Sequence, residues 1–353
     1  LKQSYTSNRF CLFLTPFSLL YGVAVSLRNY LFDRGILKQY HPPVPLVVVG
    51  NLTVGGTGKT TMVITLARLL DRNDRPVAIL SRGYGRRSKG FRMVTTDTDP
   101  GTAGDEPVEI KQALPEIMVA VDRNRAHGIR RLLQEPDPPK LILMDDGFQH
   151  RWVTPAYSII LSDAGHPLEK QRLLPAGRLR EPLRALKRAN ALVITKISGL
   201  SDYPDIAVRR KQLNLTDQTL LLYSRIEYQD PRPLHPVYPD ILLKDLKKQN
   251  AKTLLITGIA QPGYLAQHLR EQGVEFDHLC YRDHYNYTLK EIRHLKKSVQ
   301  QTGYQVILTT QKDAVKIKSI PGSADLPVYF LPIKFIFDSK QLDQLIRKII
   351  THV

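Results

Sequence analysis

Residues 46–71 read LVVVGNLTVGGTGKTTMVITLARLLD: a β-branched apolar run, a glycine-rich turn and an amphipathic stretch of helical period. No other part of the sequence constrains the fold as tightly. Such a turn lets successive backbone N–H groups converge on one anion at the N-terminus of a helix, which requires a buried strand before it and a helix after it. The strand is expected at 46–50 and the helix at 58–71. Gly55, Gly56, Thr57, Gly58, Lys59, Thr60 and Thr61 then form a nucleotide cradle, with Lys59 reaching the β- and γ-phosphate oxygens and the Thr60 hydroxyl available to Mg²⁺. The strict pattern G-x-x-x-x-G-K-[ST] places glycine at position 53, where this chain has Thr53, so the loop is a variant P-loop.

The remainder of the chain has the alternation of short apolar runs and helix-length segments that such a loop implies, that is, βαβ units around a parallel sheet. Strands are expected at 46–50, 76–80, 117–121, 141–145, 157–161 and 191–195, with helices at 58–71, 122–133 and 181–189. A long strand follows at 220–228, then a break marked by Pro231, Pro233, Pro236 and Pro239. A second series runs through strands at 253–258, 274–281 and 304–310 with helices near 263–272 and 288–300. A late strand at 328–337 can pair with 220–228, and Asp338 is placed to cap a final helix. The fold class is therefore α/β: a P-loop core with a parallel sheet and a second, smaller α/β domain joined by a two-stranded linker. The expected boundaries are a helical segment at 1–40, the core at 41–218, linker strands at 219–228 and 328–337, the second domain at 229–327 and a C-terminal helix at 338–353.

Charge narrows the partners. Fifty-one Lys and Arg against 33 Asp and Glu give +18, a field that attracts phosphates, anionic lipid headgroups or nucleic acid. Cys11 and Cys280 make no metal or redox spacing, which points to a reducing, cytosolic setting. Between Arg9 and Arg28 lie 18 uncharged residues flanked by basic ones. The run is borderline for a membrane span, contains Pro16 and Gly22, and is followed by no A-x-A cleavage site. A helix lying in or crossing the membrane surface is expected here, with a helix buried in the core as the competing reading.

Further motifs carry chemistry. LILMDDGFQHR (141–151) puts Asp145 and Asp146 at the end of a strand, where the metal of a P-loop needs acids. AGDEP (103–107) is a carboxylate pair in a Gly and Pro loop, which read alone is either a solvated turn or a functional pair. SRGYGRR (81–87) and LLPAGRLREP (173–182) are basic loops, either solvated or anion clamps. Thr195-Lys196 is half of a guanine-reading [NT]-K-x-D element, but Ser198 replaces its Asp, which argues against guanine. YRDHYNY (281–287) places His284 in a loop after a strand, in a structural or a catalytic role.

Taken together, GNLTVGGTGKT, SRGYGR, GDEP, DDGFQHR, LLPAGRLRE, RDHY and TTQKDAVK occur in an order and spacing that resemble the tetraacyldisaccharide 4'-kinases, the lipid A 4'-kinases. The resemblance runs from about residue 10 to the end of the chain, and the combination of DDGFQHR with GDEP makes it specific. It implies transfer of the ATP γ-phosphate to the 4'-hydroxyl of a tetraacylated glucosamine disaccharide 1-phosphate, forming lipid IVA at the cytoplasmic face of the inner membrane. It also implies a lid formed by the second domain, Lys59 as a catalytic phosphate-binding residue, and Asp105 with His284 as a catalytic pair. Thr60, Asp145 and Asp146 would hold the metal, and Glu106, Gln149, His150, Arg180 and Glu181 would lie in or near the active site. Tyr285 stands where the family pattern suggests a second His. The implied partners are the acylated disaccharide 1-phosphate lipid and anionic membrane lipids, with no nucleic acid and a monomeric chain. Two rival readings stay open. A membrane-associated partitioning ATPase shares GGxGKTT but carries a Lys where this chain has Val54, and a nucleic-acid-binding P-loop protein has only the basicity in its favour.

Overall fold

The computed structural model describes residues 8–71, 76–197 and 205–352, with side chains in the first helix from Phe13 onward. That helix, α1 (Asn8–Asp33), leads into β1 (Leu46–Asn51), which is buried throughout. Val47 and Val49 enter one apolar cluster while Leu46 and Val48 enter another. This is the pattern of a parallel strand covered on both faces. The chain continues through α2 (Lys59–Asp71), β2 (Val77–Ser81), β3 (Arg92–Met93), α3 (Pro100–Ala103), α4 (Asp105–Ala113), β4 (Met118–Val121), α5 (Arg125–Leu132), β5 (Leu141–Asp145), β6 (Tyr157–Asp163), β7 (Ala191–Thr195), α6 (Ile206–Gln212) and β8 (Leu220–Tyr228). A second series comprises β9 (Arg232–Pro233), α7 (Leu243–Lys248), β10 (Thr253–Thr257), α8 (Gly263–Glu271), β11 (Phe276–Cys280), α9 (Leu289–Thr302), β12 (Val306–Thr310), α10 (Gln311–Lys318), β13 (Val328–Leu331), β14 (Ile333–Phe337) and α11 (Ser339–His352).

Among the described residues two sheets form. The larger runs β14-β8-β7-β6-β1-β5-β2-β4-β3 and the smaller β11-β10-β12-β13-β9. β1 lies between β5 and β6 and is parallel to both, so the loops leaving β1 and β5 open side by side at the carboxyl edge of the sheet. Ligands of open α/β sheets bind at that edge.

Several elements differ from expectation for local reasons. The late strand is two strands: Pro332 offers no N–H, β13 ends its parallel pairing with β12 at Leu331, and β14 begins antiparallel pairing with β8 at Ile333 opposite Tyr228. Residues 328–331 thus belong to the smaller sheet, and β14 alone pairs with 220–228. The stretch at 181–189 is a 3₁₀ turn, Leu183–Arg188, rather than an α-helix. α5 starts at Arg125 because the Asn124 side chain accepts from the His127 N–H and fixes the cap there. AGDEP is not a loop but the start of α4: Gly104, at φ 100, turns the chain, and Asp105 and Glu106 fill the first helical turn. Acids are favoured at that end of a helix. Asp338 caps α11 as expected, its Oδ1 accepting from Lys340 N and Gln341 N. Ser198 lies outside the described residues.

Candidate active site

The glycine-rich loop is shaped by its neighbours as well as by its own sequence. Gly58 has φ +89, and a Cβ there would lie 2.3 Å from the Phe335 ring, so no side chain fits. Thr53, the departure from the strict motif, is buried and bridges to Leu179. Val54 N donates to Arg178 O at 2.8 Å and Arg180 N donates to Leu52 O at 2.7 Å, so LLPAGRLREP braces the phosphate loop along its length. From the other side Lys196 donates to Gly56 O at 2.5 Å and the Thr195 hydroxyl to Thr57 O at 3.1 Å.

Asp145 ends β5 and Asp146 follows it with φ 48, a left-handed backbone that a non-glycine residue rarely adopts. Lys59 Nζ is 3.6 Å from Asp146 Oδ1, and Arg180 Nη1 donates to the two Asp146 oxygens at 3.1 and 3.2 Å. Burial works to raise the Asp146 carboxyl, but Lys59 and Arg180 outweigh it and hold the group below its ordinary value. Asp145 behaves oppositely. Burial, then Glu106 and Asp146, push it up to about 7. Its Oδ2 accepts from Ser81, whereas its Oδ1 is buried with no partner among the described residues. A buried carboxyl oxygen with no hydrogen-bond partner, whose burial Lys59 only partly offsets, fits a divalent cation. No group of three or more His, Cys, Asp or Glu suited to a metal occurs among the described residues. One or two carboxylates, with phosphate oxygens and water completing the shell, is a donor set that suits Mg²⁺.

The smaller sheet supplies the other wall. A cleft of about 550 Å³ is lined by the phosphate loop, Glu106, Asp146 and Arg180 on one side and by Asp283, His284 and Lys312 on the other. His284 Nδ1 lies 3.7 Å from Asp105 Oδ2, and the imidazole stands 5.4 Å from the Tyr84 ring, centre to centre. His284 has φ 55 and Lys196 φ 61. With Asp146, three non-glycine residues in the left-handed region line this one cleft. Such strain costs about 1–3 kcal/mol per residue and concentrates where function demands it.

The remaining expected residues are placed as follows. Gln149 donates to Asn51 O at 2.9 Å beneath the loop. His150 is pushed down to about 4 by burial, then by Arg125 and Arg82. Glu181 points away from the cleft: it is fully buried, accepts from Asn29 at 2.8 Å and Arg188 at 2.5 Å, and so ties α1 to the core. Two residues at the site were not expected from the sequence: Lys312, within TTQKDAVK, and Glu109, one helical turn beyond Asp105. Helical spacing of the GDEP acids would have found Glu109, had that segment been read as a helix.

A profile of the family described as Tetraacyldisaccharide-1-P 4'-kinase matches residues 10–351. The tetraacyldisaccharide 4'-kinase of Phocaeicola vulgatus is 39% identical over 338 residues, 93% of this chain and 92% of that one. Its counterpart in Flavobacterium psychrophilum is 37% identical over 344 residues, 96% of each chain. The crystal structure of LpxK from Aquifex aeolicus in complex with ATP aligns with a TM-score of 0.75 at 31% identity, covering 96% of this chain and 99% of that one. These relatives do not favour the partitioning-ATPase reading. A family match over nearly the whole length, on a fold that brings the phosphate loop, Asp146 and the His284 loop to one cleft, shows that the chain belongs to the tetraacyldisaccharide 4'-kinase family.

Proposed function

We propose that this cleft transfers the γ-phosphate of ATP to the 4'-hydroxyl of a tetraacylated glucosamine disaccharide 1-phosphate, with Asp105 and His284 acting on the hydroxyl. The observation that carries the reading is the approach of His284 Nδ1 to Asp105 Oδ2, 3.7 Å across the two sheets and beside the phosphate loop. Phosphoryl transfer asks a protein chiefly for positioning and charge neutralisation. Lys59 neutralises charge on the phosphate oxygens, and Arg180, held on Asp146, adds a second cation at the same wall. Thr60, Asp145 and Asp146 would hold Mg²⁺, which when bound neutralises the β- and γ-phosphates. Asp105 accepts the proton of the 4'-hydroxyl, and His284 orients that carboxylate. A carboxylate is a weak base, adequate where the proton leaves late in a loose transition state. Residues 229–327 serve as a lid that brings His284 to the core at 41–218.

In this reading α1 holds the enzyme at the cytoplasmic face of the inner membrane as a monomer. Phe13, Phe17, Leu19, Leu20, Val23 and Leu27 of α1 are exposed. The other face is fixed to the core: Tyr21 donates to Arg180 O at 2.8 Å and Ser18 to Leu173 O at 3.1 Å. No helix among the described residues is long and apolar enough to cross a membrane. An interfacial helix, with basic residues attracting anionic lipids, accounts for both facts. The test is incubation of the protein with γ-labelled ATP, Mg²⁺ and the disaccharide 1-phosphate in detergent. Label in the lipid is expected; label only in inorganic phosphate would contradict transfer.

A further inference from the structure

His284 has a different partner at each ring nitrogen. Nδ1 faces Asp105 Oδ2 at 3.7 Å, and Lys312 Nζ lies 3.1 Å from Nε2. A lysine ammonium has three donors and no acceptor, so it donates and Nε2 must present its lone pair. In a neutral imidazole the proton then sits on Nδ1, on the side of Asp105. The partner of one ring nitrogen sets what the other can do.

Lys312 is itself held in register with His284. Gly258 N donates to Asp313 Oδ2 at 2.8 Å, which fixes the first turn of α10, and Gly258 O accepts from His284 N at 3.1 Å, which fixes the His284 loop. One residue, Gly258, therefore anchors both segments through its N–H and its carbonyl. Glu106 Oε1 and Asp283 Oδ1, each 3.8 Å from Lys312 Nζ, hold the ammonium from either side. Lys312 thus links Glu106 of α4 to the imidazole that Asp105 of the same helix faces directly.

We propose that Lys312 is a positioning residue for phosphoryl transfer, its ammonium locking His284 as the Nδ1–H tautomer that donates toward the Asp105 carboxylate. This rests on the reading of Asp105 and His284 given above. Without Lys312 the imidazole is free to place its proton on Nε2, which would turn a lone pair toward a carboxylate and repel it. Both contacts to Asp105 from the smaller sheet, His284 at 3.7 Å and Lys316 at 3.9 Å, fall on Oδ2, so loss of the first loosens the base itself.

The test joins a spectrum to kinetics on the full chain. Long-range nitrogen–proton correlation spectra of isotope-labelled protein, recorded at mildly alkaline pH, separate protonated from lone-pair nitrogens. The signal of His284 among ten histidines is identified by its loss in His284→Gln. Wild type should show a protonated Nδ1 and a lone-pair Nε2, and Lys312→Met should shift this pattern toward the other tautomer. Lys312→Met should lower kcat roughly tenfold or more with little change in KM for ATP, within the range of positioned acid–base groups. Lys312→Arg, also donor-only, should restore the tautomer and much of kcat. An unchanged nitrogen pattern in Lys312→Met would overturn the proposal, as would a rise in KM for ATP at near-normal kcat, which would make Lys312 a nucleotide ligand. Wild-type kcat in His284→Ala would instead overturn the underlying catalytic reading, and with it any role of Lys312 in turnover.

Discussion

Burial pushes the Glu109 carboxyl up to about 8, only partly offset by Lys312 and reinforced by Glu106 and Asp105. At neutral pH the folded protein therefore holds a proton there that the unfolded chain has released. Because the native state binds more protons between the unfolded value of about 4.5 and the folded value of about 8, stability contributed at this site falls as pH rises through that window. Glu109→Gln removes the dependence. Chemical denaturation at pH about 5 and about 8 should show the variant gaining on wild type at the higher pH, by on the order of a few kcal/mol at most; parallel profiles would show that Glu109 ionises freely. At the nucleotide site, Lys59→Ala and Asp145→Ala should each lower kcat by about a hundredfold or more with the fold retained, since single preorganised electrostatic groups carry contributions of that size. Circular dichroism checks the fold, and wild-type turnover in either variant would refute the assignment.

At the scale of elements, α1 is amphipathic in an unusual sense: its anchored face makes polar contacts to the 173–181 loop and its free face is apolar. Replacing Phe13, Phe17 and Leu20 together by Ser should leave stability nearly unchanged, because exposed positions tolerate substitution within about 0.5 kcal/mol each. Binding to anionic vesicles should fall by roughly tenfold or more, since each large apolar side chain taken from water is worth about 1.5–3 kcal/mol when fully buried. Co-sedimentation measures this, and undiminished binding would show that α1 does not face lipid. The strands β1, β2, β4, β5, β6 and β7 could be read from the sequence because each is a short apolar run buried almost throughout, as LVVVG is, whereas β3, Arg92–Met93, is too short and too exposed to show such a pattern. The phosphate loop was equally legible, its glycines and Lys59 being a local pattern. Other features depend on contacts that no local window contains. The split at Pro332 is a choice between two partners, β12 and β8. The clamp role of Glu181 depends on Asn29, 152 residues away. The left-handed backbones of Asp146 and His284 are not legible either: Asp and His adopt that region more often than most residues, but still only rarely.

At the scale of the whole molecule, the chain leaves the larger sheet through β8 and returns through β14, and these two strands pair with each other. That antiparallel pair fixes where the smaller sheet stands over the phosphate loop, and its Phe335 ring touches Gly58 directly. The proposed catalytic centre draws on both sheets, with Asp105 from the larger side and His284 from the smaller. A double-mutant cycle on kcat tests it most directly. Asp105→Ala and His284→Ala should each lose about a hundredfold or more, and the double variant should be little worse than Asp105→Ala, because residues acting as one unit are non-additive. Losses in log kcat that simply add would show that the two residues act independently and would contradict the account.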